Sequence, residues 1–279
     1  MINYASLTRV RSALRACGVP ALLQLRSRAR NSHRERRWEK YRPSHVEVTI
    51  RGVRARLLTS DAAEFSRVLS YKDDRHILEA LLARAHPGDT CWDVGASFGL
   101  YSVLLAKAIG LEGEVRAFEP EPRSYRRLLE NAAINQLSNL KVANFALADR
   151  RARLSLVVSE QPFSGTHSLR DERWPGNTPS PSNHVEVEVT TGDELVCASG
   201  YSSPSVVKID VEGAEEEVLR GLVRVLTNPA CHTVVCEVHF ALLAKRGKPE
   251  APTRILGILR GAGFRTIRWL DRSHVMACK

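Results

Sequence analysis

The 279-residue chain contains no uninterrupted apolar run of about 18 residues, the length a helix needs to cross a bilayer, so no membrane span is expected. Its basic N-terminus lacks the long apolar stretch and small-residue cleavage site of a secretory leader. Cytoplasmic residence is the expectation, with peripheral contact to the inner face of a membrane as a variant of it. The six cysteines (Cys17, Cys91, Cys197, Cys231, Cys236, Cys278) form no C-x-x-C pair and have no histidine at finger spacing. Neither a zinc site nor a disulfide framework is encoded; reduced, mostly buried thiols are expected, with Cys91 and Cys236 inside strands. Aromatic residues are few at 6 %, and no RNP, KH or C2H2 signature accompanies them, which argues against nucleic-acid binding. No internal repeat appears. What remains, 43 % hydrophobic and 26 % charged residues, suits a globular chain with one large α/β domain.

The net charge of +10 is unevenly spread. Eleven Lys and Arg fall between Arg9 and Arg42, opposed only by Glu35 and Glu39. Leu7, Val10 and Leu14 recur there at helical spacing beside Arg9, Arg11 and Arg15, a pattern that suits an anionic membrane surface or nucleic acid. The plainer expectation is a solvated helix packed on the catalytic core or on a second copy of the chain. Three segments follow: a basic, partly helical arm over residues 1–45, a short β-rich lead-in over 46–70, and a main domain over 71–279 with an insertion loop at 159–184. "VEVTIRGVRARLLT" (46–59) alternates as a hairpin and reads as a lid or platform.

From Thr90 strands and helices alternate: strand Thr90–Val94, helix Leu100–Ile109, strand Glu114–Phe118, helix Pro122–Asn135, strand Lys141–Phe145. Such a β-α-β-α-β half places its ligand crevice at the carboxyl ends of the strands. There lies "CWDVGASFGLYS". Gly95 and Gly99 permit positive φ and close backbone approach to a ligand, and the N–H groups of the turn and of the helix beyond it can receive an anion. Ser97 stands where the common nucleotide fingerprint has a glycine. Glu119, ending the next strand about 20 residues on, is placed to accept hydrogen bonds from ribose hydroxyls. Asp93, an acid at the strand end, would repel a dinucleotide's pyrophosphate but suits the cationic sulfonium and amine of S-adenosylmethionine. A structural acid bonded within its own loop is the other reading of Asp93.

Further along, "SVVKIDVEGAEEEVLRGL" predicts a buried strand over Ser205–Ile209 with Asp210 at its carboxyl end. Lys208, two residues away on the same strand, needs a counter-charge or a ligand, because an unpaired buried ammonium is costly. Glu216 and Glu217 are explained by the dipole of the helix they open; Asp210 and Glu212 are not. "TVVCEVHF" (233–240) repeats the design, with Glu237 and His239 two apart and so on one face. Histidines His33, His86 and His184 have no such context and read as surface residues.

"DVGASFGLYS", "AFEPEP", "NAAIN", "NFALAD" and "VVKIDVEGAEEEVLRG", in this order, resemble the FkbM-type family of S-adenosylmethionine-dependent methyltransferases, over about residues 71–277. "KIDVEGAE" is the most specific piece. The resemblance implies an α/β class I methyltransferase (Rossmann-like) fold: a seven-stranded, mostly parallel, doubly wound sheet with its last strand antiparallel. It implies methyl transfer to a hydroxyl oxygen of a sugar, glycolipid or secondary metabolite, with the cofactor held by Asp93, Gly95, Ala96, Ser97, Gly99, Glu119, Pro120, Asn144, Ala146 and Asp210. At Ser97 the family usually carries Asn. For catalysis His239 is the leading base, followed by Asp210 or Glu212; Glu237 accompanies His239, and Lys208 orients substrate or holds a carboxylate. No metal is expected. The likeness also brings "SGTHSL" near the site, nominating Ser164, Gly165, Thr166 and Ser168 for the acceptor. Competing readings are an NAD(P)-dependent oxidoreductase, which wants a fuller glycine fingerprint, and a non-catalytic nucleic-acid or membrane adaptor driven by the basic arm.

Overall fold

The computed structural model describes residues 34, 36–158, 168–170 and 184–279. The arm up to residue 33, with Cys17 and His33, lies outside the described residues, as do Ser164, Gly165, Thr166 and most of the insertion. Among the described residues no helix is long and apolar enough to cross a membrane.

After a helical stretch at residues 36–41 comes a hairpin, β1 (His45–Ile50) and β2 (Val53–Leu58), followed by α1 (Ala62–Leu69) and α2 (Arg75–Leu82). Helix α1 starts where Asp61 accepts a hydrogen bond from the Glu64 N–H (2.8 Å), while the Glu64 carboxylate reaches back to the Ser60 N–H (2.5 Å). Reciprocal caps of this kind satisfy two N–H groups that the first helical turn leaves unpaired. The hairpin is a platform, not a lid: Val48, Ile50, Ala55 and Leu57 are buried in one cluster with Leu78, Leu81 and Leu104. Asn131 and Asn135 fasten it, accepting from the N–H groups of Leu58 (2.8 Å) and Arg56 (3.0 Å).

Then come β3 (Thr90–Val94), α3 (Leu100–Ile109), β4 (Glu114–Phe118), α4 (Pro122–Ile134) and β5 (Leu140–Ala143). The expected strand over 141–145 is shorter and begins one residue earlier. A second, four-stranded sheet follows, made of β6 (Ala146–Leu147), β7 (Ala152–Val157), β8 (Ser168–Arg170) and β9 (His184–Thr190) in the order β6-β9-β7-β8. The remaining elements are α5 (Gly192–Ala198), β10 (Val206–Ile209), α6 (Glu215–Arg220), α7 (Val223–Thr227), β11 (Thr233–Glu237), α8 (Phe240–Lys245), α9 (Ala251–Gly261), β12 (Thr266–Trp269) and β13 (His274–Cys278).

The main sheet has seven strands in the order β12-β13-β11-β10-β3-β4-β5. Strands β10, β3, β4, β5 and β11 pair in parallel, while β13, the last strand, runs antiparallel to both β11 and β12. That is the expected class I methyltransferase arrangement. Strand alternation divides the core: Cys91 and Val206 face the hairpin side, Trp92, Val94, Val207 and Ile209 the side covered by Leu219, Leu222 and Ile255. Strand order reverses between β3 and β10, and the crevice at such a switch point opens at the strands' carboxyl ends.

Candidate active site

Five carboxylates meet Lys208 and His239 at that edge. Lys208 and Asp93 are register partners across β10 and β3, and their side chains share a sheet face. The Lys208 Nζ lies 3.2 Å from Asp93 and 3.5 Å from Asp210, donates to the Gly95 carbonyl at 3.1 Å, and sits 4.8 Å from the centre of the Tyr101 ring. Burial works against its charge, but Asp93 and Asp210 outweigh it and hold the ammonium above its ordinary pKa. Asp93 is thereby spent on protein partners, though on Lys208 and Ser102 rather than on its own loop. It is 0 % exposed and accepts from Ser102 Oγ at 2.5 Å, because β3 continues one residue past it to Val94 and alternation turns it under the sheet. Contact with a sulfonium is thereby excluded for Asp93.

The glycine turn also corrects expectation. Gly95 (φ 80°) and Gly99 (φ 91°) do occupy left-handed backbone, but what approaches them closely is protein: a Cβ on Gly95 would come within 1.8 Å of the Asp210 carbonyl, and one on Gly99 within 2.1 Å of Leu128. Several of the turn's N–H groups are also already taken. Those of Gly95 and Ala96 both go to the Phe118 carbonyl (3.0 and 3.1 Å), and that of Ser97 to Glu119 Oε2 at 2.7 Å.

A cleft open to solvent lies above this turn. Of the expected cofactor residues Gly95, Ser97, Glu119, Pro120, Ala146 and Asp210 line it. Asp93, Ala96, Gly99 and Asn144 do not. Asn144 instead donates its amide to the carbonyls of Glu119 (2.8 Å) and Pro120 (3.1 Å), shaping the loop those two residues form. Glu119 is 6 % exposed; burial raises its carboxyl, opposed by the Glu121 and Ser97 N–H groups, to a pKa of about 7. Each Glu119 oxygen accepts one backbone bond and keeps a further lone pair for a ribose hydroxyl. The far wall comes from the second sheet through Leu156 and Leu169, neither foreseen from sequence. Ser168 opens the strand that carries Leu169, and Arg246 anchors it by donating to the carbonyls of Leu169 (2.9 Å) and Gly213 (2.8 Å).

Behind the cleft stands His239. Strand β11 ends at Glu237 and His239 caps α8, so strand alternation does not bring the pair together. They meet regardless. His239 Nε2 lies 3.4 Å from Glu212, 3.8 Å from Asp210 and 3.8 Å from Glu237, and Nδ1 lies 2.6 Å from Glu215. Burial alone would lower the imidazole pKa, but the Glu215 hydrogen bond and the charges of Glu215, Asp210 and Glu212 lift it to about 9. A histidine held charged at neutral pH is a poor proton acceptor, which counts against His239 as the leading base. Asp210, despite burial, is held below the usual carboxylate range by Lys208 and His239. Glu212 is the group poised near neutrality: burial raises it, His239 opposes, and Asp210 and Glu237 add to the rise, giving about 7. It lines the cleft from a left-handed backbone conformation (φ 51°). Asp210, Glu212 and His239 each offer a ligand atom, all within 4.8 Å of one another. His86 is exposed, as expected, and neighbours Asp89 and His232 at the opposite end of the sheet.

Glu215 was missed by sequence reasoning, being one of three successive acids in a helix's first turn; Glu216 and Glu217 are indeed spent on structure, Glu216 on Arg220 and Arg254, Glu217 on Lys248. The four cysteines Cys91, Cys231, Cys236 and Cys278 are free and buried, and Cys197 is free and exposed.

The family model described as "Methyltransferase FkbM domain" matches residues 93–266. The chain belongs to the FkbM family of S-adenosylmethionine-dependent methyltransferases. It is 28 % identical over 213 residues to "Hexuronic acid methyltransferase AglP" of Haloferax volcanii, covering 76 % of this chain and 80 % of that one. With "31-O-demethyl-FK506 methyltransferase FkbM" of Streptomyces tacrolimicus it shares 27 % over 207 residues, 66 % of this chain and 76 % of that one. With "2-O-methyltransferase NoeI" of Sinorhizobium fredii it shares 26 % over 128 residues, 42 % of this chain and 50 % of that one. The site fits the family's cofactor: Ser97 Oγ is buried at the cleft without a hydrogen-bond partner, and Glu119 keeps acceptor capacity for a ribose.

Proposed function

We propose that this FkbM-family enzyme methylates a hydroxyl oxygen on a sugar or polyketide-type acceptor, with Glu212 as the proton acceptor. The observation that carries the reading is the Glu212 carboxylate itself: it faces the cleft, and its pKa of about 7 matches the operating pH of a general base. Names of relatives agree with oxygen as the target, one being a 2-O-methyltransferase and another acting on 31-O-demethyl-FK506.

S-adenosylmethionine supplies, when bound, an electrophilic methyl group on a positive sulfur. Gly95, Ser97, Glu119 and Ala146 hold and orient the cofactor in the cleft. Glu212 takes the acceptor hydroxyl's proton on its carboxylate, making the oxygen a better nucleophile. The His239 imidazolium keeps that carboxylate from rising further in pKa, and Glu215 keeps His239 charged and aimed. Lys208 fixes the relative position of Asp93, Asp210 and the glycine turn, and most of the protein's contribution is alignment of this kind. Incubation of the full chain with labelled S-adenosylmethionine and a panel of uronic, neutral-sugar and macrolide acceptors, followed by mass analysis, tests the reading. Methyl ethers are expected; label on nitrogen or carbon overturns it.

A further inference from the structure

Arg67 lies on α1, far from every motif in the sequence, yet its side chain lines the same cleft as Ser97, Glu119, Asp210 and Glu212. Its natural partner is Glu64, three residues earlier on the same helix face. Glu64 is already taken, with Oε1 2.8 Å from Arg127. Among the described residues Arg67 makes no ion pair within 4 Å, its charge reaching Asp210 and Asp74 only at longer range, and its Nε is shut away from solvent with no hydrogen-bond partner. The other cations of the site, Lys208 and His239, are committed to carboxylates of the protein. Of the turn's N–H groups, those of Gly95, Ala96, Ser97 and Gly99 are already taken by oxygens of the protein. A guanidinium is planar, permanently charged and shaped to donate two parallel N–H bonds to one carboxylate, and leaving such a group unpaired beside a cleft is unfavourable.

We propose that Arg67 is the anion-binding group of the cleft and receives a carboxylate by paired donation from its guanidinium. Two molecules brought here under the proposed reaction, on which the inference rests, can carry that group: the methionine end of the cofactor, and an acidic sugar acceptor of uronic type.

The full-length wild type, Arg67→Met and Arg67→Lys are titrated by calorimetry with S-adenosylhomocysteine and with decarboxylated S-adenosylmethionine. Methionine preserves the aliphatic stem and removes the charge. The S-adenosylhomocysteine-loaded proteins are then titrated with methyl glucuronide and methyl glucoside. If the cofactor carboxylate sits on Arg67, Arg67→Met binds S-adenosylhomocysteine about tenfold to a hundredfold more weakly, Arg67→Lys falls between, and the decarboxylated compound binds wild type and variant alike. If an acceptor carboxylate sits there, S-adenosylhomocysteine affinity is retained and only the preference for the glucuronide over the glucoside is lost in Arg67→Met. Equal loss of both cofactor compounds would report a collapsed cleft and overturn the inference. So would unchanged S-adenosylhomocysteine affinity together with a wild type that shows no preference for the glucuronide, or a preference that survives in Arg67→Met. Wild-type protein that binds neither cofactor compound refutes the cofactor assignment and the inference together, a result distinct from a variant that matches wild type.

Discussion

Replacing Glu215 by Gln probes the acid ring at its most buried member. Both of its hydrogen bonds, with the Gly213 N–H (2.8 Å) and with His239 Nδ1 (2.6 Å), fall on the same oxygen, Oε1. A glutamine carbonyl can keep both, so the substitution removes charge while preserving shape. His239 stands at about 9 against an ordinary 6.5: burial pulls it down, and Glu215 is the largest of the groups lifting it. That rise corresponds to about 3 kcal/mol of preference for the imidazolium in the folded chain, with Glu215 the largest contributor to it. The histidine is 17 % exposed, so solvent screening removes little of it. Because the folded pKa is raised, this stability is fully present below the ordinary histidine value and is lost as pH rises through about 9. Urea unfolding is therefore expected to show Glu215→Gln less stable than wild type near pH 6, by an amount on the order of that preference, with the gap closing toward about pH 10. NMR titration of the His239 ring should show its pKa falling toward the ordinary value in the variant. A gap that does not change with pH, or a wild-type His239 that titrates at its ordinary value, would refute the reasoning.

Other substitutions separate the remaining roles. Glu212→Gln is expected to lower turnover about 10²- to 10⁴-fold while leaving S-adenosylhomocysteine affinity intact, and wild-type kcat/KM should rise with pH through about 7 as Glu212 loses its proton; wild-type turnover in the variant removes Glu212 as the base. Asp93→Asn leaves the buried Lys208 short of a charge partner and should cost about 3–5 kcal/mol, whereas Asp93→Asn combined with Lys208→Met should cost clearly less than the sum of the two single changes. Additive losses in urea melts would mean that the pair is not coupled. Gly95→Ala forces a side chain into backbone at φ 80° and against the Asp210 carbonyl, a loss of at least about 2 kcal/mol by the same assay; a melt superimposable on wild type would contradict the close approach.

How much of this was legible depends on the distance over which each feature is encoded. The strands Thr90–Val94 and Glu114–Phe118 and the helix Leu100–Ile109 fall where the sequence pattern predicts them, since apolar runs and glycine breaks are local signals. Helix α1 passed unread although Asp61 and Glu64 form a recognisable cap. Asp210, Glu212, Lys208, Glu237 and His239 were gathered correctly because consecutive parallel strands deliver their carboxyl ends to one edge. Their roles were harder. Asp93 looks like a strand-tip acid until β3 is seen to run on to Val94, and His239 looks like a base until three neighbouring strands and loops are known to surround it with carboxylates. Arg67 and Leu169 carry no local signal at all; α1 and the second sheet bring them to the cleft through tertiary packing.

The site also has an internal order of dependence. Glu215, wholly buried, fixes one nitrogen of His239 and keeps the ring charged; the charged ring then faces Asp210, Glu212 and Glu237 with its other nitrogen. Because Asp210 is also compensated by Lys208, it stays ionised, while Glu212 shares only the histidine and is left near neutrality. Neighbouring carboxylates on one loop are thus given different duties by what stands behind each of them, a permanent anion at Asp210 and a titrating one at Glu212. Five carboxylates face Lys208, His239 and Arg67, with His274 also 3.3 Å from Glu237, so acids and bases at the crevice are close to balanced, a setting that tolerates a cationic methyl donor carrying its own carboxylate. Arg67, with no close ion pair among the described residues, has its charge accounted for once a bound molecule brings a carboxylate of its own.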